Sequence, residues 1–312
     1  MSTLPSLLGS RRSRSLGWPL AALCVGLTAS CTQAPEAPVA VDWKAVDQAI
    51  GKPGATQAGG VYKYSLPRSD LVVKVGDVQL KPALALGSWL AFKPAPQHTM
   101  VMGDLVLQEE EVNPVLSKLQ EAGIEQTAMH NHVFNEQPRV VYMHVEGHGD
   151  AVQLAAALRA GLELSKTPIT PPSGDPPPSL DLDTAQLDQI LGAQGKNNGG
   201  VYQVGVPRTE KILMDGVEIP ASMGLATALN FQPAGGGKAA ITGDFVLLPG
   251  EVNPVIRALR KNNIAVTALH SHMLTEEPRL FFMHFWAVDD ALALARGLRE
   301  ALDQTASVRA AR

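Results

Sequence analysis

The chain reads as an α+β protein: two tandem homologous domains, each an antiparallel meander followed by a split β-α-β-β-α unit. Three observations predict this. The stretch TAMHNHVFNEQPRVVYMHV, Thr127 to Val145, recurs as TALHSHMLTEEPRLFFMHF, Thr267 to Phe285, so one unit is present twice. A chain of 312 residues is long enough for two ordinary domains. Within each copy, short alternating segments bounded by Gly, Pro and Asp precede two stretches of helical periodicity. With 45% apolar and 18% charged residues, each copy can bury a core of its own. The formal charge of −4 and the lack of a long basic run argue against a nucleic-acid partner, because phosphate binding needs clustered Lys and Arg.

Residues 1–30 read as a lipoprotein-type signal peptide. Arg11, Arg12 and Arg14 precede an apolar run, Leu16 to Ala29, that is too short to span a bilayer as a helix, which takes about 20 apolar residues. Leu27-Thr28-Ala29-Ser30-Cys31 resembles a lipoprotein cleavage box, which makes Cys31 the lipidation site and a membrane the partner through that anchor. An ordinary signal peptide cut nearby is the other reading. Cys24 leaves with the signal, so the exported chain has no cysteine pair and no disulfide to rely on.

Residues 31–41 form a Pro-containing tether. The first repeat domain takes 42–165, a Pro-rich linker 166–181, the second repeat domain 182–304, and a tail 305–312. Asp42 caps a short helix that ends at Gly51, and Asp183 to Gly192 repeats it. The loops Gly59-Gly60 and Gly199-Gly200 lead into strands rather than helices, which marks turns and not a phosphate cradle. Val61 to Leu66, Leu71 to Val75, Val78 to Leu80, Leu84 to Phe92 and Met100 to Leu107 read as strands, with a tight turn at Gly76-Asp77. Asn113-Pro114 and Asn253-Pro254 read as helix starts: Asn accepts from free first-turn amides, and Pro has no amide to lose there. A hairpin follows, Ile124 to Val133 and Arg139 to Val145, turning at Asn135-Glu136-Gln137-Pro138. A last helix runs from about Gly149 to Leu164 in one copy and Asp289 to Leu302 in the other. The order strand, helix, strand, strand, helix is compatible with ferredoxin-like packing.

The stretches GDLVLQEEEVNPV and HNHVFNEQPRVVYMH resemble the LppY/LpqO-like domain of bacterial lipoproteins, in both copies and over most of the mature chain. The resemblance implies an export signal and tandem copies of a domain of unknown function. It implies no catalytic residue.

The chemistry lies in the hairpin. His130, His132 and His144 recur as His270, His272 and His284 at one fixed offset, so six of the 8 histidines sit at repeated positions. Strand side chains alternate, so His130 and His132 share a face about 7 Å apart. A turn centred on Gln137 sets position 144 opposite 130 and gathers three imidazoles on one face. Such a set suits zinc or copper, with a fourth position left for water or substrate. A one-residue slip would turn His144 to the other face. The competing reading is that these are half-buried structural histidines inherited by both copies.

Glu136, Glu276, Asp104 and Asp244 are the repeated acids nearest the triads and the candidates for a general base or supporting carboxylate. Their bland readings are a solvated turn residue and a strand-end hydrogen-bonder. Glu111 and Glu251 suit the positive end of a helix, and Arg68, Arg208, Arg139 and Arg279 either bind an anion or pair with these acids. His98 and His148 have Lys238 and Val288 at the corresponding positions and fall outside the repeated set. No Gly-x-Ser-x-Gly, His-Glu-x-x-His or phosphate-loop pattern occurs, and Ser271 alternates away from the histidine face. Three functions remain: an envelope metal- or ligand-binding protein with one site per domain, a zinc-dependent hydrolase of an envelope substrate, and a metal-free interaction module.

Overall fold

In the first copy Asp42 Oδ1 accepts the amides of Lys44 and Ala45 at 3.1 and 3.2 Å, and Gly51, at φ 91, closes the helix α1 (Trp43–Ile50) between them. The computed structural model of the protein describes residues 37–170 and 178–307. Cys31, the signal region, most of the tether, part of the Pro-rich linker and the end of the tail lie outside the described residues.

After α1 come β1 (Ala55–Gln57), β2 (Val61–Pro67), β3 (Lys74–Val75), β4 (Val78–Gln79), α2 (Pro82–Ala85), β5 (Gly87–Pro94) and β6 (Thr99–Gln108). Then follow α3 (Glu109–Glu121), β7 (Glu125–His130), β8 (Glu136–Gln137), β9 (Val140–Gly149) and α4 (Ala151–Leu162). The second copy repeats the plan with α5 (Thr184–Leu191), β10 (Lys196–Asn198), β11 (Val201–Pro207), β12 (Leu213–Met214) and β13 (Val217–Glu218). It continues through β14 (Ala226–Gly235), β15 (Lys238–Leu247), α6 (Val252–Lys261), β16 (Ala265–His270), β17 (Phe281–Asp290) and α7 (Ala291–Leu302).

Each copy builds one six-stranded sheet, in the orders β1-β2-β5-β6-β9-β7 and β10-β11-β14-β15-β17-β16. All pairings are antiparallel, so β6 and β7 run parallel with β9 between them. That is the split β-α-β arrangement, with α3 as the crossover.

One face of each sheet packs on its own helices. Val101, Leu105 and Leu107 of β6 join Val115, Leu119, Leu154 and Leu158 in one core, and the second copy has its equivalent. The even-numbered residues of β6 point the other way. Met100 and Met102 pack against Met214, Ile219, Met223 and Phe282 of the second copy, and β6 is therefore buried on both faces. Reciprocally, the β3-β4-α2 arm meets β14 and β15: Lys81 N donates to Gln232 Oε1 at 2.8 Å, and Gln203 Nε2 to the Ala83 carbonyl at 2.7 Å. The described residues form one compact unit in which two sheets face each other between outer helices.

Four local expectations change. Helix α3 starts at Glu109, not at Asn113: Gln108 and Glu111 form a reciprocal capping box, and Pro114 falls inside the helix. Leu84 and Ala85 lie in the short helix α2, started by Pro82, and not in a strand. The hairpin does not turn tightly at residues 135–138. Glu136–Gln137 instead pairs with β3 as a separate strand, which makes Glu136 buried rather than solvated. His144 consequently sits opposite Ala128, and His130 opposite Tyr142. This shift is by two residues, so the three histidines keep one face.

Candidate metal centre

The strands place the chemistry on the inner faces of the two sheets. Asp104 on β6 is the direct neighbour of His144 on β9, and Asp244 on β15 is the neighbour of His284 on β17. His130 and His270 end the edge strands β7 and β16, with His132 and His272 just beyond. The two edges meet through reciprocal bonds. Thr127 Oγ1 donates to the His272 carbonyl at 2.6 Å, and Thr267 Oγ1 to the His132 carbonyl. Such mutual contacts are those of an isologous interface, here closed within one chain.

All six histidines therefore meet in one place. The triads expected as separate sites interleave: ring centroids are 3.6 Å apart for His130 and His270, 3.7 Å for His144 and His272, and 3.9 Å for His132 and His284. Tyr142 and Phe282 stack on His132 and His272 and fix their planes. His284 Nδ1 donates to the Gly243 carbonyl at 2.8 Å, which leaves Nε2 as a lone pair facing His130 Nε2 at 3.3 Å. His130, His270, His272 and His284 each bring a ring nitrogen into a group whose atoms all lie within 4.8 Å of one another. A tetrahedral zinc with bonds of about 2.1 Å spaces its ligands about 3.4 Å apart, so small inward movements would close this set on a cation.

Burial, the larger cause, and the neighbouring imidazoles push His130, His132, His144 and His272 far below the ordinary histidine pKa. Burial lowers His270 to about 4, and burial with His270 lowers His284 to about 3. All six are neutral at pH 7, the form that ligates. The same burial raises Asp104 to about 8, and burial with Asp104 nearby raises Asp244 well above the carboxylate range. His272 Nε2 is 3.5 Å from Asp244 Oδ2, and His144 Nε2 is 3.9 Å from Asp104 Oδ1.

A cleft of about 710 Å³, within the size range of small-molecule sites, opens onto His130 and His270 between Asn131, Phe134, Glu136, Arg139 and Leu269. Glu136 and Glu276 differ here. Arg279 Nη1 donates to both oxygens of Glu276 at 3.2 Å. Arg139 instead donates to Asn131 Oδ1 at 3.1 Å, and Glu136 Oε2 has no hydrogen-bond partner. Burial raises Glu136 to about 7. Ser271 stands in place of Asn131 in the second copy.

The remaining sequence candidates lie elsewhere. Arg68 is fully buried and pairs with Glu111 at 2.8 Å and Asp70 at 2.9 Å, and Arg208 pairs likewise with Glu251, so neither arginine is a surface anion site. His98 and His148 touch each other, outside the six. Sequence reasoning missed Thr127, Thr267, Tyr142 and Phe282, although each sits at the repeat offset inside the histidine stretch.

Curated proteins give no match to the chain. Among solved structures, a trimeric bacterial microcompartment shell protein, PduB, aligns at 11% identity over 82% of this chain and 95% of its own, with a TM-score of 0.20. EtuB from Clostridium kluyveri aligns at 7% identity over 80% and 90%, with a TM-score of 0.19. Scores this low carry no argument about fold or role. The profile of the domain of unknown function DUF1259 matches residues 44–164 and again 185–304. The chain belongs to that family and carries two tandem copies of its domain.

Proposed function

We propose that this protein binds zinc or copper at a single composite site, contributed half by each repeat, and does so as an exported lipoprotein anchored through Cys31 in a bacterial cell envelope. One observation carries the metal reading. His130 Nδ1, His132 Nε2, His144 Nε2, His270 Nε2, His272 Nε2, Asp104 Oδ1 and Asp244 Oδ1 are all buried without a hydrogen-bond partner. Each such atom costs about 1–3 kcal/mol, so seven in one cluster are a poor way to stabilise a fold and a good way to hold a cation. Imidazole-rich donors suit zinc and copper. The basic n-region, the Leu27–Cys31 box and the LppY/LpqO-like resemblance support export and anchoring.

The alternative, a zinc-dependent hydrolase of an envelope substrate, is favoured by Glu136: an acid of raised pKa, with a free oxygen, lines the cleft beside His130 and His270. Metal analysis of residues 32–312, purified without a histidine tag, tests the common premise. Bound zinc or copper that disappears in the His130→Ala/His270→Ala protein supports it, and a native chain that takes up neither metal refutes it. A Glu136→Gln protein that keeps its metal but loses turnover on a hydrolysable envelope peptide or polymer would select the hydrolase.

A further inference from the structure

The junction between the repeats has a second, unrelated cluster. Glu146 and His148 lie two and four residues beyond His144 on the same face of β9, and Asp215 comes from the β12–β13 turn of the other repeat. One oxygen or ring nitrogen from each of the three lies within 4.8 Å of the others. They line a cavity of about 330 Å³ that also takes in Glu125, the direct cross-strand neighbour of Glu146. The cavity lining contains three carboxylates and one imidazole but no Lys or Arg.

The pseudo-symmetric position shows what a purely structural junction needs. There the counterparts of Glu146 and His148 are Trp286, which packs against an apolar cluster, and Val288, and the turn residue that corresponds to Asp215 is Gly76. The cavity side instead carries carboxylates at two of these positions, Glu146 on the strand and Asp215 on the turn. Like charges brought together repel unless a positive charge sits among them. His148 Nε2 lies 2.9 Å from Glu146 Oε1, and its other nitrogen, Nδ1, lies 3.0 Å from His98 Nε2. His98 thereby fixes the ring in the way an outer partner fixes a ligating imidazole.

We propose that Glu146, His148 and Asp215 form a second, solvent-accessible site for a divalent first-row cation that clasps the two repeats, with His98 as a positioning residue. One imidazole with carboxylate oxygens suits zinc and manganese better than it suits copper(I). The site is independent of the six-histidine centre. Zn²⁺ titrated into the full chain by calorimetry should give a weaker phase that survives in the His130→Ala/His270→Ala protein. The weaker phase should fall at least about tenfold in affinity in His148→Ala and in Asp215→Asn, and His98→Ala should weaken it less. His148 and Asp215 are exposed, so these variants should fold as the wild type does. Should the histidine double variant fail to fold, the same weak phase is read in the native chain after the tight phase saturates. Isotherms unchanged by Asp215→Asn, or the lack of any weak phase, would overturn the proposal.

Discussion

Asp104 and Glu111 are both buried carboxylates of the first repeat, yet burial has opposite results for them. Burial alone would raise Glu111, but hydrogen bonds from Arg68 and from the Gln108 and Lys166 amides outweigh it and hold the group below its ordinary 4.5. Asp104 Oδ1 has no such partner, and burial takes the group to about 8. The first is a structural ion pair, and the second is a carboxyl kept neutral by burial, which a cation bound at the proposed site would ionise. Glu111 has a depressed folded-state pKa, so its contribution is complete above pH 4.5 and is lost as pH falls through the lower folded value. Urea unfolding should therefore show Glu111→Gln less stable than wild type by about 3 kcal/mol at neutral pH. That gap should narrow below pH 4.5, and a gap unchanged down to pH 3 would contradict the assignment.

Strands that carry the site do so with both faces in use, which leaves little tolerance at their crossings. Gly243 lies beside Asp244, and its carbonyl holds His284. A Cβ on Gly243 would fall 1.8 Å from the Ala228 carbonyl oxygen, so β14 and β15 would have to part. Gly205 on β11 has nothing within 4 Å of such a Cβ. Gly243→Ala should cost at least about 2 kcal/mol in thermal or urea unfolding and lower metal content, while Gly205→Ala should lie within about 1 kcal/mol of wild type. Equal effects would remove the close approach as the cause. The sequence made several of these elements legible because their signals are local: Asp42 with Gly51 for α1, Gly76-Asp77 for the hairpin, and alternation for the histidine face. It hid β8, because two residues carry no periodicity and the partner strand, β3, is remote in sequence. The α3 start was misplaced for a similar reason. Asn113-Pro114 is a good local signal, but Glu111, fixed by the distant Arg68, wins.

The arrangement of the whole molecule was the least legible in the chain. Met100, Met102 and Val106 reveal a second apolar face on β6, but nothing in their spacing says that the other repeat covers most of it. Repetition suggests two equal sites, and only packing brings the two triads together at the internal interface. Asymmetry then enters at single positions: Asn131 stands against Ser271 beside Glu136, and Glu146 against Trp286 at the second cavity. On the proposed reading, six histidines from two repeats make one metal centre. The most direct measurement is tightly held metal per chain, after gel filtration, in wild type, His130→Ala and His270→Ala. A shared centre predicts that either single substitution removes the same metal and that the double variant loses little more. If each single variant instead keeps half of the wild-type metal and the double variant keeps none, the repeats hold separate sites and the shared centre is refuted.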